Sequence, residues 1–208
     1  MSRKKDQAAR RKHLLEAARK AILKRGLESV GVRDIAQAAS MSPGSVTYYF
    51  PTIDELLRQV QADVIARFAH SRWELVRTIE DPVARLRALI ERGVATGPDD
   101  ELLCLLNEFT GLIRRNPIYQ ISWKSHNDSQ VSIYESVITT GAALGVFTLS
   151  CSALSIARNF VGLEDIYGFH VVTGASMTQH EALELIFDFA KGAVGCDLHE
   201  PATPPVPS

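Results

Sequence analysis

Between Arg10 and Leu57 apolar residues recur at helical spacing in three short bursts, and a fourth, longer burst follows. Leu14, Leu15, Ala18, Ala21 and Ile22 make one face of a helix from about Arg10 to Arg25, which Lys24-Arg25-Gly26 stops. Ile35, Ala36 and Ala39 give a second, about Val32–Ala39. Ser42 and Pro43 are a good cap and first residue for a short third helix, about Pro43–Tyr49. Thr52-Ile53-Asp54-Glu55 reads as a capping box, with Glu55 reaching back to Thr52. Behind it Leu56, Leu57, Val60, Val64, Phe68 and Leu75 carry an apolar stripe to about Thr78. A stripe of that length makes the fourth helix the natural connector between a small head and a larger body.

The rest repeats the same period, and no sustained strand alternation occurs. Helices are expected over about Pro82–Thr96, Asp99–Arg115, Ile118–Leu144, Ser152–Thr173 and Gln179–Val194, punctuated by Gly97-Pro98, Asn116-Pro117, Gly145 and Gly174. The fold class is therefore all-α. The expected domains are a basic arm and helix-turn-helix over 1–51, a helical body over 52–196, and a disordered tail over 197–208 rich in proline.

A formal net charge of −1 conceals a division. Residues 1–50 hold eleven Lys/Arg against four Asp/Glu, net +7, and the remainder is net −8. A basic head on an acidic body points to a polyanion on one side only. The charged N-terminus has no apolar segment after it, so no signal peptide or membrane span is expected and the cytoplasm is the expected location. Cys104, Cys151 and Cys196 are far apart and form no CxxC, and the six histidines form no HExxH. No metal, disulfide or cofactor is expected. With no P-loop, GxSxG or dinucleotide fingerprint, no enzymatic activity is expected either.

The second and third helices, joined by Ser40-Met41-Ser42, form a helix-turn-helix whose second member must enter a major groove roughly 12 Å wide. Ser42, Pro43, Gly44 and Ser45 keep its first turn small enough for close approach and offer backbone amides to phosphate. Thr47, Tyr48 and Tyr49 then face outward for base or phosphate contact, and Val46 and Phe50 face inward. The plainer reading of those three is a partly packed helix face. Arg33 is a phosphate or base candidate, against a plain solvated arginine. The basic arm of Arg3, Lys4, Lys5, Arg10, Arg11 and Lys12 touches DNA or merely solubilises the chain.

The ordered set Arg11–Ala18, Gly26-Leu27, Val32–Ala36, Ser42–Pro51 and Glu55-Leu56-Leu57 resembles the N-terminal domain of TetR-family transcriptional regulators. The resemblance covers roughly residues 8–60. It implies an all-helical homodimer, operator DNA held by two heads, and a small-molecule pocket in the body. More weakly, Leu106–Phe109 with Arg114–Pro117, Gly145–Phe147 with Gly162–Asp165, and Thr178–Leu183 resemble the BetI-like branch. The chain departs from the family at Ser40, where glycine is usual, at Gly31 for a threonine cap, at Thr47 for a tyrosine, and at Ile53 for a lysine. A positive φ at Ser40 would add strain.

In the body, helical spacing turns Glu108 and Glu164 toward apolar faces, where a lone charge is costly. Together with Phe109, Tyr119, Trp123, Phe160 and Tyr167 they are the candidate lining of a pocket for a small effector, in the sharper reading a cationic one. For each carboxylate alone the plainer reading is favoured: a salt bridge to a body arginine such as Arg114 or Arg158, or solvent exposure. Ile156, Phe160, Leu163, Leu183, Ile186, Phe187 and Ala190 are candidates for the dimer interface, shared with the body core. The function expected is a sequence-specific regulator, a repressor released from operator DNA by a small molecule. The alternative is an architectural or co-regulatory DNA-binding protein whose body binds a protein partner.

Overall fold

A computed structural model describes residues 2–174 and 176–199, apart from the side chains of residues 2–5. The structured chain is helical: α1 (Ser2–Arg25), α2 (Val32–Ala38), α3 (Pro43–Tyr49), α4 (Ile53–Thr78), α5 (Pro82–Gly93), α6 (Glu101–Glu108), α7 (Thr110–Ile113), α8 (Pro117–Ala143), α9 (Ala153–Thr173) and α10 (Gln179–Val194). It divides into two compact units, residues 1–67 with 104–123, and residues 68–103 with 124–208. The expected boundary at residue 51 thus falls inside the first unit. That unit also takes in a segment from the middle of the chain.

In the first unit α1, α2 and α3 pack around Leu14, Ala18, Ile22, Ile35, Val46 and Phe50, all nearly or fully buried. These are the apolar positions that helical spacing selects, so the head's core follows directly from its sequence. Polar contacts then fix the helix ends. The His13 ring Nε2 lies 3.0 Å from the Ala39 carbonyl oxygen, and Ser42 Oγ accepts from Ser45 N at 3.1 Å. A cap of this kind contributes about 1 kcal/mol. Of the expected capping box at α4, one half forms: Glu55 N donates to Thr52 Oγ1 at 3.1 Å. The Glu55 carboxylate is turned instead toward Arg11, 3.6 Å away.

Three boundaries differ from the sequence expectation. Helix α1 extends back to Ser2 rather than starting near Arg10. The expected Pro82–Thr96 helix stops at Gly93, because Val94 turns extended (φ −96°, ψ 131°) and is buried with Ala95. The expected Asp99–Arg115 helix breaks at Phe109, where Leu112 N bonds the Phe109 carbonyl in a tighter i to i+3 turn. Periodicity cannot see such breaks, since the residues around them keep helical spacing.

The core of the second unit is built from α5, the later part of α8, α9 and α10, with Leu86, Ile90, Ile133, Tyr134, Ile156, Phe160, Ile186 and Val194 at its centre. The chain stays packed past α10. Leu198 is fully buried, and His199 lies 3.2 Å from Glu184 and 3.3 Å from Asp188. Leu198 and His199 of the expected tail are therefore packed, and residues 200–208 lie outside those described.

Ser40 sits in the turn between α2 and α3 with φ 53°. An L side chain is strained there and glycine is not. Ser40→Gly is expected to raise stability by about 0.5–1 kcal/mol, since relief of the strain outweighs glycine's greater unfolded freedom. Urea unfolding of the two proteins checks it, and a lower midpoint for the glycine variant would contradict it.

Candidate functional site

Helix α3 presents one exposed face in the first unit. Tyr48 is 69% exposed, the largest figure for an aromatic side chain among the described residues. Ser42, Pro43, Gly44 and Thr47 are exposed, and Ser45 and Tyr49 are half-buried. The Tyr48 and Tyr49 rings meet edge to face with centroids 5.1 Å apart, which limits how each can swing. Thr47 Oγ1 donates to the Gly44 carbonyl at 3.1 Å, so its methyl is the freer half of the side chain. Arg33 is exposed at the start of α2 and makes no ion pair among the described residues. All of the sequence-selected residues except the half-buried Ser45 and Tyr49 therefore stand on open surface.

Arg11 belongs elsewhere. Its guanidinium donates to the Tyr49 carbonyl at 2.6 Å and covers the Phe50 ring at 4.3 Å. It thus satisfies an orphan carbonyl at the C-terminus of α3, where a cation also opposes the helix dipole. One member of the expected basic arm is an internal brace for α3. Arg10 is exposed and paired with Asp6 at 3.8 Å.

The body candidates separate between the two units. Glu108, Phe109, Tyr119 and Trp123 lie in the first, and Phe160, Glu164 and Tyr167 in the second. Glu108 is exposed, and its carboxylate accepts from the Leu27 backbone N–H at 2.7 Å, beside Gly26 at φ 77°. Phe109 and Tyr119 are buried and stacked at 6.1 Å, and Tyr119 donates to Asp54 at 3.2 Å. Trp123 is half-buried.

In the second unit Glu164 is buried and paired with Arg72, which is completely buried, at 3.0 and 3.3 Å. The Tyr134 hydroxyl donates to the same carboxylate. Phe160 stacks on Tyr134 at 5.1 Å, and Tyr167 packs half-buried against the core. The plainer reading of Glu164 is thus correct in kind, but its partner is Arg72 of α4, neither Arg114 nor Arg158. Gly93 is required beside this pair, because a Cβ there would overlap both the Glu164 carboxylate and the Arg72 guanidinium. Burial pushes the Glu164 carboxyl up, against the pull of Arg72 and Tyr134.

Helix α8 brings a polar row to the same place. His126, Gln130 and Tyr134 are one turn apart on one face, and all are buried. The Phe68 ring lies 5.6 Å from His126 and 5.3 Å from the Arg72 guanidinium, and Tyr134 lies 4.9 Å from that guanidinium. The sequence reading missed Arg72, His126, Gln130 and Tyr134. The signal was present: Arg72 interrupts the α4 stripe four residues after Phe68, and the α8 row repeats every four residues beside Ile133 and Val137.

Burial, and secondarily the Arg72 charge, push the His126 imidazole down to about 4 from 6.5. Between those values the unfolded chain binds a proton that the folded chain refuses. This contribution to stability is whole above about 6.5 and is lost as pH falls toward 4. Glu164, raised by burial, acts with the opposite sign, so the test is made at one site. On acidification from pH 7.5 to 5 the unfolding midpoint of wild type should fall relative to that of His126→Gln. A gap independent of pH would show that His126 does not titrate this way.

The model for bacterial regulatory proteins of the tetR family matches residues 14–60, which are α1 from Leu14 through the first two turns of α4. The HTH-type transcriptional regulator PksA of Bacillus subtilis (strain 168) is 44% identical over 57 residues, 27% of this chain and 28% of PksA. The HTH-type nicotine-responsive transcriptional repressor HdnoR of Paenarthrobacter nicotinovorans is 26% identical over 176 residues, 84% of this chain and 89% of HdnoR. Residues 14–60 thus belong to the tetR family of bacterial regulatory proteins. The chain's fold is that of a Saccharomonospora viridis protein solved in complex with choline, with a TM-score of 0.83 at 23% identity over 90% of this chain and 98% of that one. The family-matched residues all lie in the first unit. The buried polar row lies outside the family match.

Proposed function

We propose that this TetR-family regulator is a homodimeric repressor released from its operator by a small-molecule effector. The observation that carries the DNA-binding part is the exposed face of α3, with Tyr48, Thr47, Tyr49 and the small residues Ser42 to Ser45, together with the exposed Arg33 at the start of α2. Arg11, His13 and the buried Val46 and Phe50 support that face from behind. A rigid short helix with exposed side chains and a free N-terminal turn suits major-groove reading. HdnoR, named as a repressor, supports the direction of control.

Dimerisation is supported by α9 and α10. Leu154, Ile166 and Phe169 on α9 and Leu185 on α10 are 37–49% exposed, an apolar set that a second copy would cover. Of the sequence candidates shared between interface and core, Ile156, Phe160, Ile186, Phe187 and Ala190 are buried within the chain's own core, and Leu163 and Leu183 are half-buried. The spacing identified an apolar helix pair but could not say which side a partner would take.

The effector class is supported by the relatives. HdnoR is named as nicotine-responsive, and the S. viridis protein was solved in complex with choline. Both molecules carry a cationic nitrogen at neutral pH. Glu164 and Glu108 are engaged by Arg72 and by Leu27 N, so neither stands ready as the ammonium's counter-charge. Because α4 contributes to both units, effector binding against its later turns is positioned to alter the head.

Selection of genomic fragments by the purified protein, followed by release with nicotine and choline, tests the proposal. A single palindromic motif, with release by at least one compound, is expected. Equal retention of all sequences at moderate salt would defeat the specific-regulator reading. A motif whose complex resists every small molecule would defeat the effector reading and favour a protein partner for the body.

A further inference from the structure

Gln130 is 3% exposed, yet neither atom of its side-chain amide has a hydrogen-bond partner among the described residues. Arg72, fully buried, pairs through Nη1 and Nη2 and leaves Nε likewise without one. Leaving a buried polar group unsatisfied costs about 1–3 kcal/mol, and native cores avoid it unless something else supplies the bond. Here two such side chains belong to one strip. Gln130 lies one turn from His126 and one turn from Tyr134, and these two flank Phe68 and Arg72 of α4.

The strip carries almost no net charge. Arg72 and Glu164 offset each other, and His126 is neutral at physiological pH. Its selectivity must therefore come from hydrogen bonding. The unpaired atoms comprise the Arg72 Nε–H donor, the Gln130 amide donor and the Gln130 carbonyl acceptor. Their complement is a group with an acceptor beside a donor, such as a primary amide or an alcohol.

We infer that Gln130 and Arg72 form the hydrogen-bonding site for the effector's polar group, a small donor–acceptor function. This rests on reading the body as effector-binding. Phe68 also lines a cavity of about 290 Å³ with Leu75, Val94, Leu103, Glu91 and Asp100. That cavity meets the strip at Phe68 and gives room for the remainder of the molecule; its carboxylates are already engaged, Glu91 by Arg87 and Asp100 by the Thr96 and Leu103 backbone amides, and Arg92 lines it too. The α8 row is thus the element that distinguishes an effector bearing a hydroxyl or amide from a bare ammonium.

The test uses the full chain, wild type and Gln130→Leu, with Gln130→Met as a second variant if leucine disturbs folding. Without any small molecule the apolar variant should unfold at a higher temperature, because it removes two unsatisfied buried atoms. Acetamide, which offers one donor group and one acceptor, should shift the Gln130 side-chain amide signals in the wild-type NMR spectrum. A lowered midpoint, or signals that acetamide leaves unmoved, overturns the site and assigns Gln130 to a structural water. Release from operator by choline should need about tenfold more compound in the variant, the loss of one buried hydrogen bond. Release unchanged by the substitution overturns the site while leaving the effector reading intact. If no compound releases wild type but acetamide still shifts Gln130, the effector reading fails and the site stands.

Discussion

Glu164→Ala is expected to lower folding stability by about 3–5 kcal/mol, because it leaves the Arg72 guanidinium buried without its counter-charge. Arg72 has no access to solvent and cannot relax outward without rearranging α4. The Tyr134 hydroxyl would lose its acceptor at the same time. Removing both charges should cost far less: Arg72→Met with Glu164→Met replaces a desolvated pair by apolar volume, which is often neutral or stabilising. Chemical denaturation of the wild type and the two variants measures this. Equal losses for the single and the double variant would mean that the helices are held by packing alone and that the pair is incidental. Gly93 belongs to the same device, since the pair occupies the space a Cβ would need.

Tyr48→Ala is expected to weaken operator binding by about 1–3 kcal/mol, roughly ten- to a hundredfold, while non-specific binding changes little. Tyr48 is the most exposed aromatic described, with its ring edge to face with Tyr49, so its loss should leave the fold intact. Competition between operator and random duplex at fixed salt separates the two effects. An equal fall in both would mean that Tyr48 contacts backbone rather than bases. Arg11→Ala should behave differently. It should affect all sequences through a loosened α3, because Arg11 braces the Tyr49 carbonyl and the Phe50 ring.

Much of the first unit was legible without coordinates. The apolar positions Leu14, Ile22, Ile35 and Val46, the Ser42 cap and the Pro43 start are local signals, and α3 has the predicted bounds. Ser40 was also legible as a strained position once the turn was recognised, and its φ is positive. The body was legible as a set of helices, with α10 at its expected bounds, but not in its breaks at Gly93 and Phe109.

What a sequence specifies by itself is local: period, caps, turn residues and the charge division between head and body. These determined an all-helical chain with a helix-turn-helix whose outward residues could be named. Tertiary structure alone decided the partners of the buried charges. Glu164 meets Arg72 across 92 positions and Glu108 meets Leu27 across 81, distances over which helical spacing carries no information. It also decided which apolar residues of α9 are core and which are left exposed. Spacing fixes the faces of a helix, whereas the identity of what covers each face is a property of the packed whole.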